Sequence, residues 1–210
     1  DQKQLFWGLP RWSLVQSCAP TMSQVAAGTV TNRKWVVKKR PEGVFRAECL
    51  ELKEESMDVS SLTDGEVVIR IETLSIDAFL RTMLDEGAFH GVKRTGDTMT
   101  AFGIGVVIAA GPSAKFKIGQ RVVGPLGAQE FSRLTPHPMI MPLLSLPFVP
   151  NRLWLSLLGL TTGITAWVGM FRVLPRPRKG ETVVVSAATG ATGSIAAQLA
   201  KSTGARVIGV

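Results

Sequence analysis

The chain has 210 residues, 45% of them hydrophobic and 19% charged, with a formal net charge of +8. That composition excludes a disordered or low-complexity chain, and the length lies between one domain and two. Two cysteines, two histidines and no tyrosine leave no CxxC or HExxH spacing, too few thiols for an all-cysteine zinc site, and no phenol to donate a proton.

The surplus charge sits mid-chain, where residues 90–179 carry eleven basic and two acidic side chains. These stand singly, as at Lys115, Lys117, Arg121 and Arg133, with one cluster at Arg176, Arg178 and Lys179. No stretch interleaves them with aromatic residues as a base-stacking platform does, so no nucleic-acid partner is expected. A basic face near an anionic cofactor is the expectation instead.

In chain order, residues 1–21 have no basic start followed by an apolar core, no periodicity and no transit-peptide composition. Met22 follows, and the expectation is a non-domain N-terminal extension over residues 1–27 with Met22 as the natural start, in a cytoplasmic protein. Residues 35–38 form a β-branched and aromatic run closed by Arg40-Pro41, and residues 45–52 alternate apolar and polar, so a strand is expected in each. Asp64-Gly65 is a turn signal before the strand at 67–71. Residues 104–110 end at Gly111-Pro112, and the turn Lys117-Ile118-Gly119 precedes a strand at 121–124. Short strands punctuated by glycine and proline predict a small β-barrel.

Five prolines between 135 and 150 predict an extended interdomain linker. Residues 153–171 then run without a charge, and Gly159 and Gly163 stand at GxxxG spacing. Serine and threonine within the run, and the α/β pattern after it, favour a buried helix joining two domains over a membrane span. The β-branched run at 182–186 predicts a buried parallel strand. Residues 193–203 place Ile195, Ala196 and Leu199 on one helical face, Gly204 is the stop, and residues 206–210 are a second strand.

Between that strand and that helix lie Ala188, Gly190 and Gly193, at the spacing of the dinucleotide fingerprint with alanine first. Small residues are what the chemistry requires: Gly190 lets backbone approach a pyrophosphate, Gly193 lets helix and strand close up, and the helix start receives phosphate oxygens. The candidate cofactor-binding residues are Ala188, Gly190, Ala191, Thr192, Gly193 and Ser194.

The segment 180–194 resembles the nucleotide-binding turn of medium-chain dehydrogenases/reductases, and within them the zinc-independent branch of alkenal, curcumin and prostaglandin reductases. Asn32-Arg33-Lys34-Trp35 resembles that branch's opening strand. Leu74-Ser75-Ile76-Asp77-Ala78-Phe79-Leu80-Arg81 resembles its LSxDPYxR, with proline and tyrosine replaced. Val123-Gly124-Pro125-Leu126-Gly127-Ala128-Gln129-Glu130-Phe131 resembles its VGxxGxQEY. Gly163-Ile164-Thr165-Ala166-Trp167 resembles its GLTAY, although the stretch before it is one residue longer; the match makes Thr165 a contact for the nicotinamide end. Phe79, Phe131 and Trp167 stand where relatives often carry tyrosine. Gly103-Ile104-Gly105 stands where the zinc-dependent branch has Gly-His-Glu, so no metal is expected.

The resemblance implies a mixed α/β chain. It divides into a GroES-like barrel over 28–150, an interdomain segment over 151–172, and a Rossmann-type β-α-β unit over 173–210 that stops short of the full domain. It implies an NADPH-dependent reduction of the C=C bond of α,β-unsaturated ketones or aldehydes by a cytoplasmic homodimer, this chain being an inactive piece of it. The alternatives are a quinone oxidoreductase of the same superfamily, a non-catalytic binding module, and a membrane anchor at 153–171. No catalytic residue is assigned, since the family's downstream tyrosine has no counterpart.

Overall fold

The computed structural model describes residues 28–89, 91–144 and 148–210. The expected extension at residues 1–27, with Cys18 and Met22, lies outside them, as do His90 and Pro147.

Strands β1 (Thr29–Val37) and β2 (Leu50–Asp58) pair antiparallel from Thr29↔Asp58 to Val37↔Leu50. The second strand therefore starts later than the alternation at 45–52 suggests: Ala47–Cys49 is a 3₁₀ turn and Phe45 is exposed. The reason is that β2 is an outer strand solvated on both faces, with only Leu50, Glu55 and Met57 half-buried. Such a strand shows no apolar period. Its register comes from β1, where Val30, Asn32, Val36 and Val37 are buried.

Five further strands, β3 (Val67–Ser75), β4 (Phe102–Ala110), β5 (Arg121–Pro125), β6 (Phe131–Leu134) and β7 (Met141–Pro142), form an antiparallel sheet in the order β6-β3-β4-β5-β7. Gly65 and Gly119 take left-handed backbone in the expected turns, with φ of 75° and 85°. Two register shifts between β3 and β4 bend the sheet. Isolated bridges Lys34↔Gln129 and Val36↔Thr98 join β1 to it, and the strands curl around a common interior. Val67, Ile69, Val107, Val122, Leu126 and Ile140 fill that interior, each at 1% exposure or less. Burial of side chains of this size contributes roughly 1.5–3 kcal/mol apiece. A short helix, α1 (Phe79–Thr82), follows β3 and packs Leu80 into a second cluster with Val37, Leu84 and Met99.

The proline-rich stretch is not wholly a linker. Ile140 is fully buried, and β7 pairs with β5 through Val122↔Pro142 and Val123↔Met141. Proline is tolerated there because β7 is an edge strand.

The uncharged run is not one helix either. Asn151–Leu155 is a 3₁₀ turn whose Trp154 and Leu155 pack on Ile104, Val123 and Leu143 of the barrel. A helical rod follows, made of a π-helical turn (Leu160–Ile164), an α-helical turn α2 (Thr165–Val168) and a second π-helical turn (Gly169–Val173). The rod is half-open to solvent rather than buried: Ile164, Trp167 and Val168 are exposed, while Ala166 and Met170 face inward. Among the described residues no helix is long and apolar enough to cross a membrane.

The chain then forms β8 (Thr182–Val185), α3 (Ala191–Ser202) and β9 (Arg206–Gly209), with β8 and β9 parallel from Thr182↔Arg206 to Val185↔Gly209. Gly204, at φ 85°, ends the helix. Val185, Ile195, Ala200 and Ala205 are buried between helix and sheet. The mixed α/β architecture expected from the sequence is the one observed.

Candidate functional site

The glycine turn owes its shape to backbone contacts that admit no side chain. Ala187 takes a left-handed φ of 48°, and the Gly190 N–H donates to its carbonyl at 2.9 Å. Gly190 is extended (ψ 167°) and caps α3 with no side-chain help. The Ser194 N–H donates to the Gly190 carbonyl at 2.9 Å, so the N–H groups of Ala191, Thr192 and Gly193 precede the first helical bond and have no helical acceptor. A Cβ on Gly193 would collide with the Ala187 carbonyl oxygen and sit 3.2 Å from the Ala188 Cα. Gly209 is confined in the same way, its Cβ position lying 2.7 Å from the Ala188 side chain. No acidic residue stands in the first turn of α3, which leaves the positive end of the helix dipole uncompensated. Ser194 is the partial exception among the six: its hydroxyl donates to the Ala191 carbonyl at 3.1 Å and so serves its own helix.

Two clefts lie between barrel and helices. The first, of about 820 Å³, is lined by Phe79 and Met83 beside α1, Phe102, Met139, Thr161 and Thr165. The second, of about 450 Å³, is lined by Asp77, Ser156, Thr162, Ala191, Ser194 and Gln198. The π-helical turn separates them, with Thr161 on one side and Thr162 on the other. Thus Ala191 and Ser194 of the six turn residues line the second cleft, Ala188, Gly190, Thr192 and Gly193 do not, and Thr165 opens on its neighbour.

The π geometry explains the extra residue before Gly163. The Ile164 N–H donates to the Gly159 carbonyl at 3.0 Å, a five-residue step that absorbs one insertion without breaking the helix. Gly163 lies against the preceding turn so closely that a Cβ would overlap the Leu157 carbonyl. Thr162 reinforces that docking, its hydroxyl donating to the Ser156 carbonyl at 2.7 Å. Thr165 is exposed at the next helical position.

The tyrosine-replacing aromatics have separate surroundings. Phe79 meets Phe102 edge-on at 6.2 Å, Trp167 meets Phe171 edge-on at 6.1 Å, and Phe131 is buried in the barrel. In β4, Ile104 is buried, and a Cβ on Gly105 would lie 2.6 Å from the Arg70 carbonyl, so that position has no room for a ligating side chain. Among the described residues no three His, Cys, Asp or Glu side chains gather. Thr161, Thr162, His137 and Met139 also line the clefts, and sequence reasoning missed them. They carry no periodicity or motif signal and arrive only through the chain's return from β6 and the docking of the π-helical turn.

A curled antiparallel barrel followed by a parallel β-α-β unit, with a glycine turn opening on the cleft between them, defines the two-domain dehydrogenase class. Residues 33–141 match the family described as the N-terminal domain of oxidoreductase. The chain belongs to that family, within the zinc-independent branch of the medium-chain dehydrogenases/reductases. It is 33% identical to the NADPH-dependent curcumin reductase of Escherichia coli (strain K12) over 189 residues, covering 85% of this chain and 50% of that protein. It is 32% identical to the NADP(+)-dependent 2-alkenal reductase of Nicotiana tabacum over 187 residues, covering 87% of this chain and 53% of that protein. The crystal structure of CurA in complex with NADPH from Vibrio vulnificus superposes with a TM-score of 0.73 at 28% identity, covering 84% of this chain and 51% of that one. The chain thus spans about half the length of the relatives it matches.

Proposed function

We propose that this chain is the substrate-side barrel and the opening of the nucleotide-binding domain of an NADPH-dependent oxidoreductase that saturates the C=C bond of α,β-unsaturated ketones or aldehydes. One observation carries the reading: Gly193 stands where any Cβ would strike the turn it packs on, directly behind three N–H groups without helical acceptors. That is a cradle for a pyrophosphate. Ala188, Gly190, Ala191, Thr192, Gly193 and Ser194 would hold it, and Thr165 would meet the nicotinamide end. The choice of NADPH rests on the names of the relatives. When bound, the cofactor supplies the hydride. The chain's own residues bind, orient and shield: Phe79, Phe102 and Met139 exclude water from the larger cleft, while Thr161, Thr165 and Lys93 bring hydroxyl and ammonium donors to it. Such donors oppose negative charge as it develops on a carbonyl oxygen. Division of the chain into a barrel (28–150), a joining segment (151–172) and a nucleotide unit (173–210) belongs to the same proposal.

The test is a chimera in which this chain continues past Val210 into the second half of the E. coli relative. The chimera should consume NADPH with a simple enone and release the saturated ketone. Release of the allylic alcohol, or consumption with quinones alone, would overturn the reading.

A further inference from the structure

A third cavity, of about 400 Å³, lies on the opposite side of α1 from the larger cleft. The short helix acts as a partition: Phe79 and Met83 line one side, Leu80 and Leu84 the other, and Thr100 borders both. The larger cleft offers threonine, lysine and histidine side chains. This one is walled by Trp35, Phe45, Leu50, Leu80, Leu84 and Met99, and is almost wholly apolar. At its mouth Trp35 and Phe45 are 44% and 41% exposed. Large rings left in water beside an empty apolar hollow mark a surface whose covering is favourable.

The loop that carries Phe45 is tied down over the hollow. It packs almost nothing of its own, and Gly43 turns it with a φ of 78°. From α1, Arg81 donates to the Gly43 carbonyl at 2.8 Å while pairing with Asp85 at 2.7 Å. Arg40 pairs with Glu86 at 2.8 Å. Arg81 borders the hollow while its guanidinium is engaged by the Gly43 carbonyl and the Asp85 carboxylate, which fix the loop's position.

We propose that this cavity binds an uncharged apolar organic group, an aryl ring system or alkyl chain, with Phe45 as its outer wall and Arg81 as the latch that positions that wall. Its volume lies in the range of small-molecule pockets, and its open surface is almost wholly apolar although Asp77, Arg81 and Thr100 border it, so an apolar ligand gains more by entering than a polar one. The site is built from the barrel alone and does not rest on the nucleotide reading.

The test titrates the neutral naphthalene ketone prodan into the 210-residue chain and follows the blue shift of its emission. One saturable site is expected. Phe45→Ala should weaken it about tenfold, and Ala47→Trp, which sets a bulky ring at the mouth, should abolish it. Arg81→Met should raise the dissociation rate several-fold. Phe45 and Ala47 are both exposed, so neither change touches the core. Should a variant nonetheless melt early, wild-type NMR decides: prodan-induced shifts at Trp35, Met99 and Ala128 uphold the site, and shifts confined to other residues overturn it. Equal affinity in the wild type, Phe45→Ala and Ala47→Trp would overturn it too, as would displacement of prodan by NADPH or by self-association of the chain.

Discussion

Gly193 and Cys49 are both small residues in tight surroundings, yet they differ in what their size permits. Behind Gly193 stands backbone, the Ala187 carbonyl, which cannot rotate out of the way. Cys49 is a free, buried thiol of the barrel, remote in sequence from the glycine turn. Gly193→Val should therefore push the first turn of α3 off the strand and weaken nucleotide binding at least tenfold, about 1.4 kcal/mol, whereas Cys49→Ser should leave it nearly unchanged. Calorimetric titration of NADPH into the chimera measures both, and equal affinities would remove the cradle from this turn. Glu66 illustrates a different residue-scale effect. Its hydrogen bonds from the Arg133 guanidinium, and then from the Thr63 backbone, hold its carboxyl at about 2 instead of the ordinary 4.5. A depressed folded-state value stabilises above the unfolded value and is lost as pH falls toward the folded one. Glu66→Gln should accordingly lower Tm at neutral pH, and the gap should close between pH 4.5 and about 2. A gap that persists at the acid end would mean that packing, not charge, ties this turn to β6.

At the scale of the element, the helical rod of π-, α- and π-turns offers two glycines with opposite expectations. A methyl on Gly163 overlaps the Leu157 carbonyl, so Gly163→Ala should cost about 1–3 kcal/mol in urea denaturation. Gly169 has nothing within 4 Å of its Cβ position, and Gly169→Ala should gain up to about 1 kcal/mol through helix propensity. The same rod shows what the sequence concealed. Its apolar run predicted one buried helix because hydrophobicity alone reports no hydrogen-bonding step; only the extra residue before Gly163 hinted at the π-turn. By contrast, the order of β8, α3 and β9 was legible in a β-branched run, a glycine turn and an amphipathic helix, although β8, expected to be buried, buries only Val185 because α3 covers a single face of its sheet. Strand β2 was shifted from its expected place because a solvated outer strand has no period to read. The two motifs around Asn32 and Gln129 were recognised as family marks, but their use is structural. The Asn32 side chain accepts from the Phe131 N–H at 2.9 Å and donates to Gln129 at 3.2 Å, while Arg33 pairs with Glu130. A seam between residues about a hundred positions apart is visible only once the chain is folded.

For the whole molecule, the two parts differ in how completely their apolar surface is covered. The barrel's strands curl around an apolar interior, and its core side chains reach zero exposure. In the β-α-β unit one face of the sheet meets α3, but on the other face Val184 and Ile208, partners in register, are 63% and 38% exposed. Both strands also keep an unpaired edge within the described residues. Fewer buried contacts per strand lower the free energy of local opening, and a protease samples the open form. In the isolated 210-residue chain, limited proteolysis should cut first beyond residue 173 and leave a resistant core of about residues 30–150. The chimera, whose added half would cover the open face, should resist at those sites. Mass spectrometry of the early products checks both statements; a barrel cleaved before the β-α-β unit would reverse the order of stability drawn from these burial patterns. With the β-α-β unit opening first, the turn behind Gly193 is not held rigid in the isolated chain, so that chain should turn over enone far more slowly than the chimera. Comparable NADPH consumption by the two would place the whole catalytic apparatus within these 210 residues.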